Sequence, residues 1–292
     1  EQNSIVDSKG FRRLEFSSSP EIYDNSLQAW FKDMTNYDLS LMHFLFGAGA
    51  EIANELGIKT EAAHWNKLKS QLPDFDLDNE GSLTFAKGFP YNASHRHFSH
   101  ALAIHPLGII DWSDGEKAQR IIRATLKKMN DYGPDYWTGY TYSWFANMQA
   151  RAFNGEEAAK ALRTFAECFC LKNTFHANGD QSASGKSKFT YRPFTLEGNF
   201  AFAAGIHEML LQSHTGVIRV FPAVPESWKN VSFNNLRAMG GFLVSAALKD
   251  GKVVRLEIYA EKGGRLAVFS PFEHKVVEYD TQPGSRIDLA VE

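Results

Sequence analysis

The spacing of the apolar residues changes from a helical period to an alternating one near residue 214. Before that point apolar side chains recur every three or four positions, and this predicts helices over 24–56, 61–71, 114–131, 141–153, 156–171 and 199–213. After it apolar and polar residues alternate, and this predicts strands over 217–221, 242–247, 253–259 and 265–269. The sequence therefore predicts a mainly α chain with a C-terminal β domain, divided into residues 1–213 and 214–292.

Turn-forming residues add detail to this division. The links at 249–252 and 262–264 contain glycine and predict hairpin turns, so we expect a small antiparallel sheet or sandwich. Two long polar segments, residues 74–94 and 173–194, interrupt the helices. Because long ordered loops are usually functional, we expect these segments to carry functional side chains.

Charge and composition argue against several classes of function. A net charge of -3, with no run of Lys or Arg, argues against a nucleic-acid groove. No stretch approaches the roughly 20 apolar residues that cross a bilayer. Gly-rich phosphate loops are also missing, and Ser/His/Asp catalysis has no support because there is no Gly-x-Ser-x-Gly elbow. We predict no cofactor. Cys168 and Cys170 diverge on a helix, which predicts packing residues rather than a disulfide.

The segment 95–100 (HRHFSH) concentrates hydrogen-bond donors in His95, Arg96, His97 and His100. Buried polar groups without partners are costly, so such a cluster suits the wall of a polar cleft. Three interpretations are open: recognition of sugar hydroxyls, structural histidines bonded to nearby loops, or zinc binding. Zinc would require an irregular backbone, because helical residues two apart diverge. We predict no metal.

Several segments together carry a resemblance to a known family: 95–100 (HRHFSH) with 104–108 (IHPLG), 196–200 (LEGNF) with 204–213 (AGIHEMLLQS), 222–228 (PAVPESW) and, more weakly, 19–21 (SPE). They resemble glycoside hydrolase family 95, the inverting α-L-fucosidases and related α-L-galactosidases. The resemblance covers most of residues 19–270. It implies part of an (α/α)6 six-hairpin toroid followed by a small antiparallel β-sandwich.

The resemblance also implies two catalytic carboxyl groups and a sugar-binding surface. An inverting enzyme uses one carboxyl as general acid and another as general base, about 6.5–9.5 Å apart. Glu21 matches the family's acid, and Glu197 occupies the position of its base, where the family has Asp. The extra methylene extends the carboxylate by roughly an ångström, a misplacement that can cost about a hundredfold in rate.

Each of these assignments has a structural alternative. Glu21 and Glu197 both suit helix entry, since acidic residues are favoured near helix N-termini. Arg96 would hold a carboxylate ionised, which suits a base better than an acid. Trp137 is predicted to stack on sugar, whereas Trp144 is predicted to be core. Asp180 is a candidate acid on the rim of the site, but the Asn-Gly-Asp sequence favours a turn residue. Asn199 is predicted to bind either sugar or the helix start.

The predicted function is hydrolysis of α-L-fucosides or α-L-galactosides in glycans, with inversion and an acid/base carboxylate pair. The predicted substrate-binding residues are His95, Arg96, His97, His100, Trp137 and Asn199. The alternatives are an impaired relative that only binds carbohydrate, and a toroid glycosidase of other specificity. The resemblance further implies an extracellular or periplasmic location and a missing N-terminal half of the same protein.

Overall fold

A computed structural model describes residues 3–289 of the chain. The described chain divides into two compact units, the first formed by Glu1–Thr141 with Ala183–Tyr191 and the second by Tyr142–Ser182 with Arg192–Glu292. Between residues 3 and 289 none of the helices combines the length and the apolar character needed to cross a bilayer. The predicted domain boundary at residue 213 stays a prediction.

The first unit begins with short strands and a helical hairpin. The strands pair as β1 (Ile5–Val6) with β2 (Arg12–Arg13) and β3 (Ser17–Ser18) with β4 (Trp30–Phe31). Helices α1 (Asn36–Glu55) and α2 (Lys59–Ser70) follow, and a small apolar cluster joins them to flanking residues: Met34, Leu39, Phe46, Leu68 and Leu72. The prediction of α2 is confirmed within two residues.

The predicted helix over 24–56 is wrong in its first third. Residues 22–29 form two short 3-10 turns, and α1 begins only at Asn36. The Thr35 side chain accepts a hydrogen bond from the Asp38 amide and so caps α1, while Ser17 Oγ lies 2.9 Å from Thr35 Oγ1. The cap and the contacts of Thr35 with Ser17 of β3 fix the start of the helix, although apolar residues continue at helical spacing before it.

One face of α1 is apolar and exposed. Its side chains are between one third and two thirds exposed, and they are Leu41 (36%), Phe44 (50%), Leu45 (58%) and Ile52 (59%), followed by Leu56 (68%) just after the helix. We call these residues the α1 stripe. Exposed apolar patches of this kind mark surfaces that are covered by another element or partner.

The remaining helices follow the predicted order. The predicted loop at 74–94 contains a small hairpin of β5 (Thr84–Ala86) and β6 (Phe89–Pro90). After it come α3 (Glu116–Tyr132), α4 (Gly139–Arg151), α5 (Gly155–Phe169) and α6 (Glu197–Leu210). Their bounds agree with the predictions within about three residues. Cys168 is buried in α5, and Cys170 follows that helix in extended conformation.

The C-terminal part of the second unit holds two four-stranded sheets. One has the order β14-β11-β10-β9 and the other β13-β12-β8-β7, where only β8 and β12 run parallel. Both sheets contribute to one apolar cluster, for example through Leu256 and Leu266. The strands are β7 (Leu211–Gln212), β8 (Val217–Val220), β9 (Val231–Ala238), β10 (Phe242–Lys249), β11 (Lys252–Ala260), β12 (Gly264–Ser270), β13 (Lys275–Thr281) and β14 (Arg286–Leu289).

One of the two predicted hairpin turns is confirmed and the other is wrong. Lys249 pairs with Lys252 across a turn in which Asp250 and Gly251 both have positive φ, as a two-residue hairpin requires. By contrast, the link at 262–264 crosses between the sheets, because β11 pairs with β10 and β14 and not with β12. Gly263 is needed there, since a Cβ would lie 2.8 Å from Thr281 O.

Candidate active site

Glu21 lies in a turn whose backbone is unusual. Glu21, Tyr23, Asp24 and Asn25 all have positive φ, between 49° and 59°. L-residues adopt this region rarely, and such strain is concentrated at functional sites. The amide of Glu21 donates to Asn25 Oδ1 at 2.9 Å, and no side chain caps the 3-10 turn that follows. The helix-entry alternative for Glu21 therefore does not describe this turn.

The carboxylate of Glu21 faces the predicted histidine cluster. Arg96 donates from Nη2 to Glu21 Oε2, and His97 Nε2 lies 3.0 Å from the same oxygen. Ser19 Oγ and Ser99 Oγ, 2.6 Å apart and buried, hold the two segments together. Partial burial raises the pKa of Glu21, but His97 and Arg96 outweigh it, so the pKa lies below its ordinary value. Glu21 is therefore ionised at neutral pH.

His95 supports this arrangement from behind. Its Nδ1 accepts from the His97 amide at 3.0 Å, and its Nε2 lies 3.1 Å from the carbonyl oxygen of Glu21. Nδ1 also lies 3.2 Å from the carbonyl oxygen of His97, so backbone groups of residues 21 and 97 contact both sides of the ring. Burial lowers the pKa of His95, which keeps the ring neutral. Because both ring nitrogens have backbone partners, His95 positions residues 21 and 97.

Two predicted substrate-binding residues lie in the interior instead. His100 has no exposed surface, and its ring packs against Phe85 at 4.7 Å and Tyr91 at 5.1 Å between centroids. Burial lowers the pKa of His100 to about 3, so the ring is neutral. Trp137 is only 3% exposed and packs edge-on against Phe98. Direct sugar contacts by His100 and Trp137 are thus corrected to packing roles, because aromatic neighbours cover both rings.

A cavity of about 380 Å³ opens in front of Glu21. Its polar lining comes from Glu21, Asp24, Ser94, His95 and Arg96, and its apolar lining comes from Tyr23, Tyr136 and Phe189. The volume lies within the range of small-molecule sites, and aromatic walls with a few convergent polar groups are typical of them. Sequence patterns did not indicate the aromatic lining residues.

The second candidate carboxylate, Glu197, is the first residue of α6. It is exposed, the N-cap residue is Leu196, and no side chain caps the helix. Glu197 therefore does not cap α6 through a hydrogen bond, and what is left of the capping alternative is the favourable effect of a negative charge near the helix N-terminus. A Cβ on the next residue, Gly198, would lie 2.3 Å from Nδ1 of the buried His176.

His176 and Asn199 fix the start of α6 from the preceding loop. His176 Nδ1 lies 2.6 Å from Thr195 O, so this nitrogen carries the proton and donates. Asn199 Oδ1 accepts from the His176 amide at 3.0 Å, and its Nδ2 donates to Thr174 O at 3.0 Å. Both ends of the Asn199 amide thus serve the loop, which favours the helix-start alternative over sugar binding. Only its place in the 173–194 loop pointed to His176 beforehand.

The remaining predicted residues are placed as follows. Trp144 is 7% exposed, which confirms the core interpretation, and Asp180 accepts from the amide and hydroxyl of Ser182, which confirms the turn. Among residues 3–289 no group of three His, Cys, Asp or Glu side chains is arranged to hold a metal ion.

Comparison with known proteins gives consistent matches. Residues 3–210 match the glycosyl hydrolase family 95 catalytic domain, and residues 212–288 match the glycoside hydrolase family 95, C-terminal domain. Alpha-L-fucosidase 2 of Arabidopsis thaliana is 31% identical over 198 residues, which are 66% of this chain and 23% of the relative. Probable alpha-fucosidase A of Aspergillus niger is 23% identical over 247 residues, 80% of this chain and 28% of the relative. The chain thus spans under a third of the length of either relative.

Proposed function

Because this chain belongs to glycoside hydrolase family 95, we propose that it is part of an enzyme that hydrolyses α-L-fucosides or α-L-galactosides of glycans with inversion. The observation that carries the proposal is a cavity in which the Glu21 carboxylate meets Arg96, with His97 beside it. The matched relatives are named as fucosidases, which supports the choice of sugar.

Proton transfer would be divided between two carboxyl groups. Glu21 is assigned as the acid that protonates the leaving oxygen, and Glu197 as the base that takes a proton from water. Exposure of Glu197 at the start of α6 leaves its carboxylate open to water. Arg96 and His97 would bind sugar hydroxyls beside Glu21, while His95 holds them in position.

The finer features of the architecture belong to the same proposal. We assign the helices to an (α/α)6 toroid, the two C-terminal sheets to a β-sandwich, and the domain boundary to residue 213. The exposed α1 stripe supports an N-terminal part of the same protein that covers it. A longer form of the protein that includes this part should show protection of α1 amides from hydrogen exchange. An extracellular or periplasmic location is tested by fractionation of the producing cells.

The test uses the full-length protein with fucosylated and L-galactosylated oligosaccharides. NMR should detect the β anomer as the first product, because the attacking water inverts the α configuration. Glu21→Gln and Glu197→Ala should each lower kcat by at least a hundredfold. Glu116→Ala is the matched control, since Glu116 is also an exposed acidic residue at the first position of a helix, and it should retain activity. Equal, small effects of Glu197→Ala and Glu116→Ala would leave only the helix-start role.

A second candidate function is carbohydrate binding without turnover. It is favoured by the ionised state of Glu21 and by Glu197 at a position where the family has Asp. Binding of the same oligosaccharides without product release would support it, and Glu197→Asp would then be the variant to test for restored hydrolysis. Release of sugar from rhamnosides or glucosides alone would indicate a family member of other specificity.

A further inference from the structure

Two aromatic side chains form one side of the cavity that contains Glu21. Tyr136 and Phe189 line it together, with ring centroids 5.7 Å apart and planes at 67°. Tyr136 is 46% exposed and Phe189 is partly buried. We call this pair the aromatic wall. Two large rings kept open to solvent beside a charged group are typical of a ligand surface rather than of a core.

The first half of the wall is held at a fixed place relative to the histidine cluster. Ser94 Oγ donates to Gly133 O at 2.8 Å and accepts from the Tyr136 amide at 2.9 Å. Because Ser94 directly precedes His95 and Arg96, these two bonds fix the backbone of Tyr136 against the segment that holds the Glu21 carboxylate.

The second half of the wall comes from a distant part of the sequence. The chain leaves the second unit at Ser182, contributes Ala183–Tyr191 to the first unit, and returns at Arg192. Two hydrogen bonds fasten this segment to residues 135–137: Lys188 N donates to Asp135 O at 2.7 Å, and Ser187 Oγ donates to Trp137 O at 2.6 Å. Within the segment, Phe189 N donates to Ser187 Oγ at 3.0 Å.

A charged pair lies against the Tyr136 half of the wall. Lys188 Nζ is 2.6 Å from Asp135 Oδ2 and lies over the Tyr136 ring, 5.3 Å from its centre. Both partners are more than half exposed, so this pair adds little stability. It does add polar groups beside a flat apolar face, and that combination fits a sugar ring, which has C–H faces and hydroxyl edges.

From this geometry we propose that the aromatic wall binds the sugar residue on the leaving-group side of the scissile bond. The proposal rests on the proposed function, in which Glu21 protonates the leaving oxygen. Groups beside a proton donor contact the part of the substrate that departs. The pyranose ring of that part packs one C–H face on Tyr136, and Phe189 supports the tyrosine edge-on. The wall therefore selects substrates by their leaving sugar and does not affect the site that binds the cleaved L-fucose or L-galactose.

The test compares two substrates that share the cleaved sugar and differ in what leaves. One is a disaccharide in which L-fucose is α-linked to galactose, and the other is α-L-fucosyl fluoride, whose leaving group is too small to reach the wall. Tyr136→Ala in the full-length protein should lower kcat/KM for the disaccharide about tenfold, which equals about 1.4 kcal/mol. The same variant should change kcat/KM for the fluoride less than twofold.

Additional variants exclude loss of folding as the cause. Tyr136→Phe keeps the ring and should keep the wild-type rate on the disaccharide, while Phe189→Leu keeps apolar volume and should lose part of it. Phe16→Ala removes a ring that is 68% exposed and does not line the cavity, and it should affect neither substrate. An equal effect of Tyr136→Ala on both substrates, or no effect on either, would overturn the proposal.

A binding measurement separates this proposal from the proposed function. Saturation-transfer NMR with free galactose, the leaving sugar, reports occupancy of the wall without any turnover. Loss of the galactose signal in Tyr136→Ala supports the wall even where no hydrolysis occurs. An unchanged signal in that variant contradicts the wall even where hydrolysis is robust.

Discussion

Replacement of Gly198 by alanine should destabilise the second unit through one contact. The added Cβ would lie 2.3 Å from His176 Nδ1, 2.6 Å from Cε1 and 2.8 Å from Cγ. These separations are far below van der Waals contact. The imidazole cannot move away cheaply, because it is fully buried and its Nδ1 donates to Thr195 O at 2.6 Å. Either α6 or the loop that carries His176 must shift.

The magnitude follows from three contributions. Forcing an extra methyl group into a packed site costs about 1–3 kcal/mol. Weakening the bond from His176 Nδ1 to Thr195 costs roughly 1 kcal/mol more. Alanine has a higher helix propensity than glycine by up to about 1 kcal/mol, which offsets part of this. We therefore expect Gly198→Ala to lower the free energy of unfolding by about 1–3 kcal/mol.

Urea denaturation of the wild type, both single variants and the Gly198→Ala/His176→Ala double variant measures this effect. If the clash is the cause, most of the penalty of Gly198→Ala disappears once the imidazole is removed. Gly47→Ala in α1 is the control, because the nearest atom there is the flexible end of Lys69 at 3.3 Å and the change should be neutral or stabilising. A Gly198→Ala protein as stable as the wild type, or strictly additive effects, would refute the reasoning.

Three further predictions concern buried and charged groups. Arg96→Met should raise the pKa of Glu21, which carboxyl NMR titration would measure. It should also weaken the loss of stability in acid, because a lowered carboxyl pKa adds stability above about pH 4.5 that disappears as the pH falls. Glu208→Ala should lower the free energy of unfolding, measured by urea denaturation, by about 3–5 kcal/mol. Arg151 is 6% exposed and donates to both Glu208 carboxylate oxygens, at 2.6 and 2.8 Å, so the variant leaves its charge buried without a partner carboxylate. His100→Phe should reduce the fall in stability between pH 6.5 and about 3, because in that range the unfolded chain binds a proton that the buried His100 ring does not bind. The free energy of unfolding, measured across this pH range, should then have a smaller slope, and an unchanged slope would contradict the prediction.

The helices and turns that the sequence predicted well are those that local chemistry determines. Residues 116–132 alternate apolar and charged side chains at helical spacing, and the Asp250-Gly251 turn supplies two residues suited to positive φ. The segment 24–35 has the same apolar spacing but does not form a helix. Its conformation depends on contacts from Ser17 to Thr35, which no local pattern reveals. Strands β9, β13 and β14 were missed, because polar and charged residues occupy much of their length.

The candidate site shows the same division between local and distant information. The donors of residues 95–97 are adjacent in sequence, so their concentration was visible. Their partner Glu21 is 75 positions away from Arg96, and only the resemblance brought the two together beforehand. Tyr136 precedes α4 and Phe189 follows α5 in the sequence, and a backbone bond from Lys188 to Asp135 brings their segments together. Neither residue has a sequence signal of its own. Composition near the cluster predicted a polar cleft, and distant loops decided its walls.

The contact between Arg96 and Glu21 bears directly on the choice between the two proposed functions, hydrolysis and carbohydrate binding without turnover. A general acid must hold a proton, yet in the free protein Arg96 and His97 keep Glu21 ionised. Burial lowers the pKa of His97 below its ordinary value, so a neutral imidazole donates to the Glu21 carboxylate. Neither group then holds a proton that the leaving oxygen could take. Under the proposed function, a sugar that fills the cavity would displace water and raise the pKa of Glu21 through desolvation. The proposed hydrolysis would also require that the same sugar draw Arg96 onto its hydroxyls, because a guanidinium that stays on Glu21 opposes protonation throughout.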